Sequence, residues 1–317
     1  MILVGDIGGT STRLARARVV GPIIEIESIA VYSSSSSPQG FEPLLQRYLR
    51  EHPGSIESAA FGMPGPVADN RVVTTNLPWE VDGHRLSVSL GVPVRLLNDL
   101  EAAAHGVFVV PPHEVVTLQP GTPVRGNLAV IAAGTGLGQA IILRQGHDLV
   151  VSPSEGGHTE FGPRDEEEVA LWRFLQARFG HVSYERLVSG PGLINLYEFY
   201  AQRAGDASPP WQADEDRGAA VARAAQSSPN STSGLALSRF CAVFGAEAGN
   251  LALKALAREG VFVAGGVAKK ILPVLQSSAF LSSFADKGRY APMMRQIPVR
   301  VVTDDLLALR GAARAAL

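Results

Sequence analysis

Two stretches of the sequence follow one plan. "MILVGDIGGTSTRLARARVV" (residues 1–20) and "NLAVIAAGTGLGQAIILRQG" (127–146) each read as an apolar strand, a glycine turn and a second strand. This weak internal duplication constrains the fold more than any other feature. Further strands such as "ESAAFGMPGPV" and "VPVRLLND" alternate with helical stretches such as "LEAAAHGVF". The pattern predicts an α/β protein with two lobes, a mixed sheet in each and a cleft between them. A length of 317 residues suits two domains better than one core.

Three turns carry closely spaced glycines: Gly8-Gly9-Thr10, Gly134-Thr135-Gly136 and Gly265-Gly266. Glycine admits positive φ and lets backbone N–H groups approach an anion. Each turn alone is equally well read as a plain hairpin. Three at strand ends, two with a threonine hydroxyl, point to a polyphosphate clasped from two sides. Neither familiar phosphate motif is present. G-x-x-x-x-G-K-[ST] has no match, and "GTGLGQAIILR" departs from G-x-G-x-x-G in spacing and runs into a strand. Asp6, beside the first turn, is either a turn carboxylate or a ligand of Mg²⁺ acting through water. The phosphate turns favour the second.

Asn98 and Asp99 stand where an apolar strand gives way to a helix. Asp is a preferred helix N-cap. Strand ends in α/β sheets also line ligand crevices, where a carboxylate can take a proton from a substrate hydroxyl. In "SPSEGGHTEFGP", Glu155 and His158 flank two glycines that disfavour a regular helix. That spacing fits a metal site, a proton-transfer pair, or contacts to many hydroxyl groups.

Six stretches, "GDIGGTSTR", "LNDLEAAAHG", "AAGTGLGQA", "SEGGHTEF", "SYERLVSGPGLINLY" and "VFVAGGVAKK", together resemble the bacterial glucokinases of the hexokinase/actin-like superfamily, in family order across nearly the whole chain. The resemblance implies the two-lobed actin-like, ribonuclease-H-like ATPase fold with its active site in the interdomain cleft. It implies ATP-dependent phosphorylation of D-glucose at the 6-hydroxyl, with ATP and Mg²⁺ as cofactors. Asp99 would be the general base. Asn98 would orient the sugar, and Glu155, His158 and Glu185 would bind its other hydroxyls. The turns at Gly8, Gly9 and Thr10 and at Gly134, Thr135 and Gly136 would hold the phosphates. Gly265 and Gly266 would lie near the adenosine. The family's last helix returns to the N-terminal lobe, so the expected domains are 1–108 with 299–317, and 109–298. A homodimer is expected on the same ground. Chemically, a hexose presents hydroxyls that donate and accept, and carboxylates, asparagine and neutral histidine complement them.

A related branch, the repressor and sugar-kinase group, carries a cysteine-rich zinc motif after its active-site histidine. Here "GGHTEFGPRDEEEVALW" has no cysteine, so no zinc is expected. The alternatives are a kinase for fructose, mannose or N-acetylmannosamine, one with another phosphoryl donor, or a sugar-responsive regulator. A first strand starting at residue 2 leaves no room before it for a DNA-binding extension. The net charge of −2 gives no footprint for nucleic acid either. The lone Cys241 reads as a buried inert thiol suited to a reducing cytoplasm. No signal peptide and no apolar run of membrane-spanning length are present. The remaining histidines (His52, His84, His105, His113, His147 and His181) read as surface or satisfied core residues, and Trp79 as core. Asn76 is left unassigned. The serine run Ser33–Ser37 reads as a solvated loop, Asp165–Glu168 as a solvated helix start, and 201–233 as a surface excursion containing a helix.

Overall fold

The computed structural model describes residues 1–317 except Pro22, Asn76, Ala207 and Asp214, and of Ser278 only the backbone. The unassigned Asn76 therefore lies outside the described residues. The chain divides into two compact units. The first holds Met1–Val115, Val151–Pro153 and Asp304–Leu317, and the second Val116–Val150 and Ser154–Thr303.

In chain order the first unit contributes β1 (Ile2–Ile7), β2 (Ser11–Val20), β3 (Ile23–Ser33), α1 (Glu42–Glu51), β4 (Ser58–Met63), β5 (Arg71–Val73), β6 (Glu80–Asp82), α2 (Gly83–Leu90), β7 (Val94–Asn98) and α3 (Asp99–Gly106). The next elements are β8 (Val115–Gln119), β9 (Leu128–Ala133), β10 (Leu137–Gln145), β11 (Asp148–Ser154), α4 (Glu166–Phe179), α5 (Gly190–Ala204), α6 (Arg217–Ser227), α7 (Thr232–Ala255) and β12 (Gly260–Ala264). Then come α8 (Gly266–Lys270), α9 (Leu272–Leu275), α10 (Ser278–Ala285), α11 (Ala291–Met294), β13 (Val299–Val302) and α12 (Leu307–Ala315).

The described residues form a five-stranded sheet, β3-β2-β1-β4-β7, and a six-stranded sheet, β11-β10-β9-β12-β13-β8, with β5 and β6 as a separate pair. β1 runs antiparallel to β2 and parallel to β4, which is parallel to β7. In the second sheet β9 runs antiparallel to β10 and parallel to β12, which is parallel to β13. The two sheets thus share one strand order, and the second adds β8 at its edge. The strand at Val299–Val302 belongs to the second sheet, and only the chain beyond it joins the first unit.

Side-chain alternation explains the layers of the first unit. Leu3, Phe61 and Leu96 point to a core with Phe41, Tyr48 and Trp79 from the α1 side. Their neighbours Ile2, Val4, Ala60 and Leu97 point to the opposite face, against Leu309, Ala312 and Ala313 of α12. That second face is rich in alanine, which lets helices approach closely. A Cβ on Gly311 of α12 would lie 1.7 Å from the Ala102 carbonyl oxygen of α3.

Two surface expectations change. Glu168 is fully buried. It accepts from Arg164 (Nε 3.0 Å, Nη2 2.5 Å) and from Nη1 of Arg239 on α7 (2.8 Å), which also pairs with Asp165 and Glu167. Burial would raise the Glu168 carboxyl, but the two guanidiniums outweigh it and hold it below the usual range. Asp165 remains the N-cap of α4, accepting from Glu168 N–H at 2.7 Å. Within 201–233, α6 buries Val221, Ala222 and Ala225 in the second unit's core, so this helix is a core element. Among the described residues, no helix is long and apolar enough to cross a membrane.

The α3–α12 contact includes a buried histidine. Arg314 Nη1 donates to His105 Nδ1 (2.7 Å), leaving the ring proton on Nε2. Burial, with the Arg314 and Arg95 charges, pulls His105 down from 6.5 to about 4. The unfolded chain then binds a proton between these two values that the folded chain refuses, so stability falls as pH drops from 6.5 to 4. We expect His105→Gln to flatten this acid limb in urea unfolding measured across that window. Parallel limbs for variant and parent would show that His105 does not titrate there.

Candidate active site

In the first unit β1, β4 and β7 are parallel, so their carboxyl ends lie at one edge, as ligand crevices of α/β sheets require. Asp6, opposite Arg13 in register, stands near the end of β1. Burial pushes its carboxyl up, and the Arg13 charge only partly offsets this. Arg13 Nη1 is itself held by the Asp305 carbonyl (2.9 Å). The hairpin closes through Gly8 N–H donating to the Ser11 carbonyl (2.9 Å), with Gly9 and Thr10 exposed at its tip.

The serine run braces this turn and is not a solvated connector. Ser34 is 1% exposed. Its hydroxyl donates to the Gly8 carbonyl (2.7 Å), its N–H donates to the Thr10 carbonyl (3.0 Å), and Thr12 Oγ1 lies 3.0 Å from its Oγ. Ser37 is buried as well, and Trp79 Nε1 donates to its carbonyl (2.9 Å). Trp79 is therefore a core residue with a satisfied indole.

At the junction of β7 and α3 the helix cap is Asn98, with Asp99 as the first helical residue. Asn98 Oδ1 accepts from Leu100 N–H (2.9 Å) and Glu101 N–H (3.4 Å), and Nδ2 donates to the Gly65 carbonyl (3.1 Å). Gly65 holds φ +132° against the Val73 carbonyl, where a side chain would be strained. Asp99 Oδ1 accepts from Leu100 N–H (2.8 Å). A Cβ on Gly62 of β4 would stand 3.7 Å from both the Asp99 Cα and the Gly5 carbonyl, so the Asp6 and Asp99 ends are close neighbours across β4.

The second unit repeats the arrangement. The turn between β9 and β10 closes through Gly134 N–H to the Gly136 carbonyl (2.9 Å), and Gly190 N–H at the start of α5 donates to the Gly134 carbonyl (2.8 Å). None of Gly8, Gly134 and Gly136 adopts the left-handed φ that glycine alone favours. Lack of room explains Gly136, where a Cβ would lie 2.4 Å from Glu185 Oε2. Above Gly134 and Gly266 the space is open for 4 Å. Parallel pairing of β12 with β9 sets the Gly265-Gly266 turn beside this hairpin, and Gly265 (φ +92°) lies against the Ala133 carbonyl.

Glu155, His158 and Glu185 come together. His158 Nε2 lies 4.0 Å from Glu155 Oε2, and Nδ1 3.9 Å from Glu185 Oε1. The Gly156–His158 stretch is one 3-10 turn lying flat on β10. A Cβ on Gly157 would be 1.9 Å from the Leu137 carbonyl, so close approach to β10 demands this glycine. Phe161 N–H donates to the Val182 carbonyl (2.9 Å) and Tyr184 N–H to the Thr159 carbonyl (3.1 Å), joining this segment to the 3-10 turn Tyr184–Arg186. His181 Nε2 also bonds the His158 carbonyl (3.0 Å). Glu185 Oε2 accepts from Leu137 N–H (2.9 Å) at the foot of the glycine turn. Glu155 and His158 side chains are 64% and 59% exposed and open to a ligand, whereas Glu185 is 26% exposed. Among the described residues, no three His, Cys, Asp or Glu side chains are grouped to hold a metal.

A family model described as Glucokinase matches residues 3–317. The chain is 39% identical over 336 residues to a glucokinase of Nostoc sp., covering 99% of this chain and 98% of that protein. It is 33% identical over 312 residues to a glucokinase of Shigella flexneri, covering 98% and 95%. Its fold matches the crystal structure of glucokinase from an Antarctic psychrotroph with a TM-score of 0.85 at 29% identity, over 99% of this chain and 98% of that one. A ROK family glucokinase from Streptomyces griseus, solved in complex with glucose and AMPPNP, matches in fold with a TM-score of 0.68 at 21% identity, over 99% and 98%.

The brace on the first turn separates buried from exposed serines. We expect Ser34→Ala, which leaves the Gly8 carbonyl and Thr12 without their hydroxyl partner, to lower stability by about 1–3 kcal/mol. Ser35→Ala, at an exposed neighbour, should change it by less than about 0.5 kcal/mol. Urea unfolding reads both. Equal effects would return the run to a solvated connector.

Proposed function

The chain belongs to the glucokinase family, and on that premise we infer that it transfers the terminal phosphoryl group of ATP to the 6-hydroxyl of D-glucose, giving glucose 6-phosphate and ADP. The family's two-lobed actin-like α/β fold is shared by this chain. One observation carries the assignment of residues. The Glu185 carboxylate accepts from the backbone of the glycine turn with one oxygen and faces His158 with the other. A sugar ligand and a phosphate turn thus share one rigid group.

Asp99 is the proposed general base. An alcohol is too weakly acidic to ionise in advance, so Asp99 accepts the O6 proton as the O6–phosphorus bond forms and the bond to ADP breaks. Asn98 caps α3, sharing the Leu100 N–H with Asp99 Oδ1. Its Nδ2 carries two N–H groups, of which Gly65 takes one, and the second is assigned to a sugar hydroxyl. Glu155, His158 and Glu185 bind the remaining hydroxyls, and a sugar lacking one would leave its protein partner without that hydrogen bond. The Gly8–Thr10 and Gly134–Gly136 turns hold the phosphates, with Gly265 and Gly266 at the adenosine. The open space above Gly134 and Gly266, which a side chain would fill, fits close contact with a nucleotide.

Asp6 fits Mg²⁺. It is a single carboxylate beside a phosphate turn, and burial disfavours its charge until a cation compensates it. When bound, the ion would neutralise phosphate charge. Cys241 is fully buried, and burial pushes its thiol up to about 12, so it stays protonated and unreactive. The cytoplasm is the proposed place of action.

Two substitutions separate chemistry from binding. Asp99→Asn is expected to lower kcat by about 10²–10⁴ while leaving glucose affinity by calorimetry largely intact. An unaltered kcat in a coupled ADP assay would remove Asp99 from the base role. His158→Ala is expected to raise the glucose KM by about tenfold, the equivalent of one hydrogen bond. An unchanged KM would take His158 out of the sugar site.

A further inference from the structure

The second unit buries a chain of polar side chains that phosphoryl transfer does not use. Gln139 of β10 is 1% exposed and Glu247 of α7 is fully buried. Gln139 Nε2 donates to Glu247 Oε1 (2.8 Å). Asn250 Nδ2 donates to Glu247 Oε2 (2.9 Å) and to the Tyr184 hydroxyl (3.0 Å). Lys287 Nζ donates to Asn250 Oδ1 (2.7 Å) and to the Ala246 carbonyl (3.0 Å). Both Glu247 oxygens are thus held by neutral amides, and Lys287 reaches the carboxylate through Asn250. A buried carboxylate is expensive, and apolar packing often replaces such groups without loss of stability. Its retention here calls for another reason.

The two ends of the chain supply one. At the first end Gln139 lies directly beneath the loop that holds Glu155 and His158. A Cβ on Gly156 would stand 2.3 Å from Gln139 Oε1. At the other end the Tyr184 hydroxyl is fixed by Asn250, and Tyr184 immediately precedes Glu185 in the same 3-10 turn. One network therefore supports both segments that carry the sugar ligands of the second unit.

We propose that Gln139, Glu247 and Asn250 are positioning residues that hold the Gly156–His158 and Tyr184–Arg186 turns in register, so that Glu155, His158 and Glu185 address one hexose together. The inference rests on the assignment of those three side chains to the sugar. The positioning residues touch neither substrate nor phosphate. They act on sugar affinity and on discrimination among hexoses, because misaligned ligands no longer penalise a misplaced hydroxyl.

The test is a reciprocal exchange. Gln139→Glu sets two carboxylates against each other. Adding Glu247→Gln restores one donor and one acceptor with the direction reversed, and still presents an oxygen to Asn250. Gln139→Leu serves as an uncharged variant should Gln139→Glu not fold. We expect Gln139→Glu, or Gln139→Leu, to raise the glucose KM by about tenfold, with kcat at saturating glucose within about threefold and the ATP KM within about twofold. The preference for glucose over mannose should narrow, and the double variant should recover the glucose KM to within about threefold. A glucose KM unchanged in folded single variants would overturn the proposal. So would an equal rise in the ATP KM, or a double variant no better than Gln139→Glu. If His158→Ala raises the glucose KM and the Gln139 variants do not, the sugar assignment stands and the positioning role falls. If none of them does, both fall.

Discussion

The hydrogen bond from Leu137 N–H to the Glu185 carboxylate organises the turns of the second unit. It ties the glycine turn between β9 and β10 to the 3-10 turn Tyr184–Arg186. A side chain at Gly136 would push that carboxylate out of its place. The same carboxylate then orients toward His158, and the Glu185 carbonyl is held by Ser189, the N-cap of α5. α5 in turn anchors Gly134 through Gly190. Turn, Glu185 carboxylate and helix cap form one closed circuit of hydrogen bonds. Preorganisation of this kind lets a site meet phosphate and sugar without reordering its backbone.

The first unit reaches a similar end by different means. Its glycine turn is braced by a buried serine, and its carboxylate stands at a helix start whose cap is the preceding asparagine. Asn98 and Asp99 share the helix start: both accept from Leu100 N–H, and Asn98 also accepts from Glu101 N–H. Duplicated sheet order supplies a common frame, yet the two halves are locally unrelated in how they hold their turns.

Much of this was legible in the sequence, and the failures have physical causes. Both hairpins, the helix start at Asn98-Asp99 and the convergence of Glu155 with His158 follow from pattern and turn chemistry. The serine run looked solvated because composition cannot show which of five identical residues points inward. Asp165–Glu168 looked solvated because its partner, Arg239, lies on α7, far away in sequence. Gln139 did offer a signal, a lone amide in the apolar run "LGQAIIL", but its partner Glu247 sits inside an alanine-rich helix with no local motif. The glycines of "SEGGH" showed only that a regular helix is disfavoured, whereas Gly157 serves contact with β10, a long-range fact that φ preferences cannot carry.

The seating of α12 on α3 bears on how the protein is made. The helix that begins with Asp99 is covered by chain that follows it by about two hundred residues, beyond the whole second unit. At roughly 5–20 residues per second, synthesis delivers that cover about 10–40 s after α3 itself. During this interval the alanine-rich face of the first sheet has α3 but not α12 over it, while the strands of the second unit are being made. Order of assembly is thereby written into the chain: the unit holding the proposed base encloses the other in sequence and closes only once residues 304–317 have been made.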